Sequence, residues 1–103
     1  MEERTANDGE SANEEQTKRV WLVERTFSDD EQNLVILVYA TPDGEQYLRK
    51  ERALTSFDDD RPTTAALDAP LRNLGAVNDP ETRERYAEEA SRMAADHEPD
   101  DEV

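Results

Sequence analysis

The 103 residues contain no cysteine. That excludes disulfides, thiolate nucleophiles and cysteine-ligated metal centres, and it is the usage expected of a reducing cytoplasm. Glycine is almost as scarce: Gly9, Gly44 and Gly75 stand alone, so no glycine-rich loop is available to cradle a phosphate. No serine sits in a nucleophile-elbow pattern. The single histidine, His97, falls at the end of a helical pattern, where its expected role is solvent-exposed interaction with the helix dipole; a general base needs a shaped pocket. Long apolar runs are missing too, for Leu34 to Ala40 is much too short to cross a bilayer. The start, "MEERTANDGE", has neither a basic leader nor an apolar segment. These absences point to a cytoplasmic protein that is not an enzyme and has no cofactor and no membrane span.

Lysine is nearly absent, with Lys18 and Lys50 against ten arginines, while Asp and Glu number 27 and the formal charge is -15. Carboxylate excess at low lysine resembles the composition of small uncharacterised proteins from halophilic archaea. That resemblance implies a surface adapted to a cytoplasm of multimolar salt. DNA or an anionic membrane would meet repulsion over most of such a surface. The acidic stretches "FSDDE" (Phe27 to Glu31) and "FDDDR" (Phe57 to Arg61) lack the ligand spacing of a calcium loop, and no metal site is expected.

The acidity is uneven. Residues 34–57 have no net formal charge, and the ends carry most of the excess. Residues 1–17 contain no aromatic and no large aliphatic side chain after Met1, so they lack the apolar surface to offset the entropy of ordering. They are expected to form a disordered acidic tail, as are residues 98–103. A single α+β domain is expected over 18–97.

Within that domain "KRVWLVERTF" alternates as a strand, with Trp21, Val23, Arg25 and Phe27 as the core face. Leu34 to Thr41 is apolar on both faces and rich in β-branched residues, as in a central strand covered on both sides or packed against a second subunit. "TPDGE" reads as a three-residue hairpin loop in which Thr41 faces Glu45. That register pairs Tyr39 with Tyr47, Leu37 with Arg49 and Ile36 with Lys50, and makes the third strand an edge whose basic stems lie over apolar surface. Thr63 to Leu67 fits either a fourth strand or a helical turn. After it, Leu71, Leu74 and Val77 punctuate a connection that Gly75 allows to bend. A helix then begins near Pro80: Asp79 caps it, or Asn78 with Glu81 completing a capping box, Pro80 suits the first position, and Tyr86, Ala90, Met93 and Ala94, beside Ala87, form its apolar stripe. The expected architecture is a three- or four-stranded mostly antiparallel sheet packed by this C-terminal helix.

Two functional classes follow. The favoured one is a protein-interaction or structural domain, with self-association its simplest form, because the central strand is apolar on both faces and only one helix is evident to cover it. The alternative is a single-stranded nucleic-acid module using the 47–52 edge: Arg49, Lys50 and Arg52 would meet phosphates, and Trp21, Tyr39 and Tyr47 would offer stacking surfaces. Glu45 and Glu51 interrupt that basic cluster. The charge pattern makes one prediction independent of partner. Lowering salt from molar KCl to about 0.1 M, where the Debye length grows to about 10 Å, unscreens the carboxylates and lowers the melting temperature followed by circular dichroism. An unchanged melting temperature would contradict the salt-adapted reading.

Overall fold

The computed structural model describes residues 16–28, 34–53 and 63–103. Residues 1–15 of the tail expected over 1–17, and the acidic stretches at 29–31 and 57–61, lie outside the described residues. Strands β1 (Thr17–Ser28), β2 (Leu34–Ala40), β3 (Gln46–Ala53), β4 (Ala66–Pro70) and β5 (Gly75–Ala76) form one sheet in the order β4-β1-β2-β3-β5. Every pairing is antiparallel. Helix α1 (Pro80–Asp96) packs chiefly on β1 and, to a lesser extent, on β2. The α+β architecture is the expected one, with five strands in place of three or four. The ambiguous segment after Thr63 is a strand from Ala66. The fifth strand is only two residues long, too short to leave a periodic signal, and Gly75 pairs with Tyr47 in it where a bend was expected. A 3-10 turn at Leu71–Asn73 joins β4 to β5. Of the expected apolar punctuation, Val77 is buried, Leu74 is half-buried and Leu71 is exposed.

β2 lies at the centre, paired along its whole length with β1 on one side and β3 on the other. Val35, Leu37, Val38, Tyr39 and Ala40 are all buried, which takes in both faces of the strand. β1 departs from simple alternation: Val20, Trp21 and Leu22 are buried in succession, Val23 is half-buried, and Phe27, assigned from the sequence to the core face, is 62% exposed. Two features explain this. Residues 17–21 pair with β4 and residues 21–28 with β2, so that Trp21 has a strand on each side, and an irregularity between Leu22 and Glu24 inserts Val23 as an extra residue and breaks the period of two. Trp21 is paired with Ala40 on one side and Ala66 on the other; small neighbours on both strands leave room for the indole between them.

α1 starts as its sequence indicates. The Asp79 carboxylate accepts hydrogen bonds from the Thr82 amide at 2.9 Å and the Thr82 hydroxyl at 2.8 Å, and Pro80 occupies the first turn. These bonds, the hydroxyl one first, hold the Asp79 carboxyl below the usual carboxylate range. Ala90 and Met93 are buried against the sheet, Tyr86 and Ala87 are half-buried, and Ala94 faces out. The Tyr86 hydroxyl reaches Glu24 of β1 at 3.5 Å. At the other end His97 closes the helix, its amide donating to the Met93 carbonyl at 2.9 Å.

The segment after the helix differs from its sequence expectation. Residues 98–103 run back along 63–66: Ala66 N–H donates to the Pro99 carbonyl at 2.9 Å, Ala65 N–H to that of Asp101 at 2.8 Å, and Val103 N–H to that of Thr63 at 2.8 Å. Thr64 and Glu102 form a β-bridge. An acidic composition denies the segment a core of its own, but main-chain pairing along an existing strand makes no demand on side-chain polarity. Val103 then packs against the core.

Helix and hairpin approach closely at the β2–β3 turn. Gly44 has φ +74°, and a Cβ there would lie 2.1 Å from the Arg83 carbonyl oxygen and 2.9 Å from the Ala87 amide nitrogen. Both the backbone conformation and the contact require glycine. Gly44→Ala should therefore cost on the order of 3 kcal/mol, combining left-handed strain with displacement of the helix. Urea unfolding measures it; a loss below about 0.5 kcal/mol, the range of an ordinary surface substitution, would show that the turn and helix are not in contact.

Candidate functional site

The turn that Gly44 completes also decides which groups β3 presents to its surroundings. Thr41 N–H donates to the Gln46 carbonyl at 3.0 Å, and Gly44 N–H donates to the Thr41 carbonyl at 2.8 Å. The Thr41 hydroxyl donates to Asp43 Oδ1 at 2.5 Å and accepts from the Gln46 amide at 3.2 Å, and the same Asp43 oxygen accepts the Glu45 amide at 2.9 Å. Thr41 is itself buried, so its hydroxyl is satisfied within the turn. Because Asp43 retains the Glu45 amide, Glu45 stays in the loop and Thr41 faces Gln46. The expected three-residue loop is thus a four-residue one, and every pair moves by one: Tyr39 faces Leu48, Leu37 faces Lys50, Val38 faces Arg49 and Ile36 faces Glu51.

This register has a direct consequence for the main chain. Since Thr41 and Gln46 are bonded to each other, alternation along an antiparallel ladder directs Leu48, Lys50 and Arg52 towards β2. Tyr47, Arg49, Glu51 and Ala53 aim their N–H and C=O groups the other way. Val77 N–H takes the Glu45 carbonyl at 2.9 Å, and β5 pairs with Gln46 and Tyr47. Beyond Tyr47, no strand lies alongside Arg49, Glu51 and Ala53 among the described residues. β3 is therefore an edge strand over its second half only.

The six residues singled out from the sequence do not form one surface. Directly paired residues share a face, so Tyr39, Lys50 and Arg52 project to one side of the sheet, and Trp21, Tyr47 and Arg49 to the other, the side that carries α1. Trp21 and Tyr39 are buried, at 7% and 2% exposure, and Tyr47 is half-buried beside Gly75. Burial pushes the Tyr39 phenol above its ordinary pKa, opposed by the positive charges of Arg52 and Arg25. Arg49 pairs with Glu51 two residues along, and both are about half exposed. Arg52 is half-buried and reaches the Thr63 hydroxyl at 3.5 Å.

Two grooves flank α1 that no sequence pattern disclosed. The larger, about 420 Å³, has Leu22, Val23, Met93 and Val103 as its apolar lining, and Arg25, Glu89, Arg92 and His97 among its polar groups. Within it Arg92 pairs with Glu89 and approaches Asp96 at 3.9 Å, and His97 Nδ1 lies 3.7 Å from Asp101. His97 is thus a half-buried wall residue, where a solvent-exposed one was expected. The smaller groove, about 290 Å³, lies between Tyr47 and Tyr86 at the start of the helix. The larger groove is lined by the bulge at Val23 and by the returning C-terminal segment, neither of which has a sequence signature. Among the described residues, no cluster of three or more metal-ligating side chains occurs, and no helix is long and apolar enough to cross a membrane.

Comparison with known proteins places residues 14–103 in a family described as a family of unknown function (DUF7967). The match takes in most of the chain, including the C-terminal segment, and the chain belongs to that family. No curated protein and no solved structure matches.

The Asp43 turn is open to a direct test. The Thr41 hydroxyl, followed by the Glu45 amide and the charge of Lys18, holds the Asp43 carboxyl below the usual carboxylate range against a smaller opposing effect of burial. A depressed folded-state value stabilises the turn fully above the ordinary carboxylate value of about 4, and that contribution is lost as pH falls through the lower folded value. Asp43→Asn should accordingly be less stable than the parent near neutral pH, with the gap in melting temperature closing below about pH 4. A gap independent of pH would remove the carboxylate from the account of the register.

Proposed function

We propose that this member of DUF7967 is a protein-interaction domain that receives an extended segment of a partner along the outer edge of β3. The observation that supports this reading is the outward alternation of Arg49, Glu51 and Ala53 past the end of β5, which leaves a row of main-chain donors and acceptors without a strand beside it among the described residues. Strand addition at such an edge draws its affinity from main-chain hydrogen bonds and its specificity from alternate side chains. Charge supports the location. Residues 34–57 have no net charge in a chain of -15, so an approaching protein meets least repulsion here.

The nucleic-acid alternative has less to draw on. Of its three proposed stacking rings, Trp21 and Tyr39 are buried, and stacking requires an accessible ring face. The acidic, lysine-poor surface fits work in concentrated salt, as in the halophilic proteins it resembles in composition, and the lack of cysteine fits a reducing cytoplasm. In this reading the domain binds and does not catalyse.

Amide hydrogen exchange by NMR, at a concentration where the protein is monomeric, tests the open edge. The inward amides of Leu48, Lys50 and Arg52 should be protected, and those of Arg49, Glu51 and Ala53 should exchange roughly tenfold faster or more. Equal protection in the two sets would mean that the edge is covered within the chain, and the proposal would fall.

A further inference from the structure

We infer that the segment received by this edge is β3 of a second copy of the chain, paired antiparallel so that Lys50 stands opposite the partner's Lys50. The inference rests on the edge reading above and adds to it the identity of the partner and the register. In an antiparallel self-pairing, outward residues must face outward residues, so the axis of two-fold symmetry can pass only through Arg49, Lys50, Glu51 or a neighbour of these. An axis at Arg49 sets that residue against itself and brings Glu51 opposite Tyr47, whose outer side β5 already fills. An axis at Glu51 sets two carboxylates against each other and Lys50 against Arg52. An axis at Lys50 instead places Arg49 opposite the partner's Glu51, and Glu51 opposite the partner's Arg49.

That last register is self-complementary in charge. Arg49 and Glu51 already pair within one chain on the face that carries α1, and two copies interleave them into a row in which each guanidinium lies between two carboxylates. β5 bounds the ladder, because Tyr47 has its outer groups engaged by Gly75. Two hydrogen-bonded residue pairs, and hence about four main-chain hydrogen bonds, remain. The contact is small, and on the opposite face Lys50 meets its own copy, a like-charge contact that opposes pairing. The product is a weak, reversible dimer. Its salt dependence runs against that of an ordinary ion-paired interface: two chains of -15 repel over their whole surfaces, so molar salt strengthens association by screening that repulsion.

Charge exchange gives the decisive experiment. Sedimentation velocity of the full chain in molar KCl, over a range of concentrations, should show the average mass rising towards that of a dimer. Arg49→Glu alone sets Glu against Glu, and Glu51→Arg alone sets Arg against Arg; each should weaken self-association about tenfold or more. An equimolar mixture of these two single variants pairs Glu with Arg at both positions and should restore it, as should Arg49→Glu with Glu51→Arg in one chain. Lys50→Thr should tighten it. Circular dichroism shows whether each variant is folded, and the double variant retains a readout should a single one not fold. A wild-type chain that stays monomeric would overturn the second copy as partner, while fast exchange at Arg49 and Glu51 would still leave the edge open to another protein. Association that ignores both single reversals, or that mixing does not restore, would overturn the register.

Discussion

Burial of β2 on both of its faces is the constraint from which the remaining structure follows. Among the described residues, Leu34–Ala40 is the only strand paired along its whole length on two sides, and its burial contributes Val35, Leu37 and Tyr39 to the apolar core of a strongly acidic chain. Leu37 at 1% exposure and Tyr39 at 2% lie on one face of the strand, and Val38 at 8% and Ala40 at 0% on the other. Removing apolar surface of this kind from water is worth about 25 cal/mol per Å², and no other segment of the chain concentrates it comparably. The flanking strands supply the ladder partners, and α1 supplies Ala90 and Met93.

The turn between β2 and β3 passes that order outwards. One carboxylate oxygen of Asp43 accepts from both the Thr41 hydroxyl and the Glu45 amide, and this moves the register by a single residue. In a sheet, one residue exchanges the two faces and also exchanges the inward and outward main-chain groups. The same turn brings Gly44 against the backbone of α1, so helix docking, strand register and the identity of the exposed edge are coupled through four residues. An edge strand lined with Arg49, Lys50 and Glu51 is protected from indiscriminate pairing by its charges. Because those charges alternate in sign, they also discriminate among registers.

Electrostatics act on two scales here. Individual ion pairs such as Arg19 with Asp68, which face each other across β1 and β4, are exposed and contribute little to stability. The summed charge matters more. With Asp and Glu outnumbering Lys and Arg by 27 to 12, self-repulsion opposes both folding and association unless salt screens it. The neutral span from Leu34 to Phe57 coincides with the central hairpin, so the core strand and the proposed contact share the part of the chain with the smallest charge excess.

Local signals alone determined several parts of this protein. The period of the Tyr86, Ala90 and Met93 stripe and the Asp79-Pro80 pair located α1, because capping and amphipathicity are encoded within one turn of chain. The unbroken apolar run of Leu34 to Ala40 marked a central strand, and the Pro42-Asp43-Gly44 sequence marked a hairpin. Tertiary structure decided the rest. The bulge at Val23 breaks the alternation of β1 and puts Phe27 on the opposite face from Trp21. A competition of main-chain and side-chain bonds inside the turn set the hairpin register. β5 pairs with Gln46 and Tyr47, and residues 98–103 with 63–66, which supply the hydrogen-bond partners that their own composition cannot. The basic cluster from Arg49 to Arg52 was visible from the start, but whether its aromatic neighbours were accessible was not: Trp21 and Tyr39 are buried, and among the described residues no strand lies beside Arg49 and Glu51.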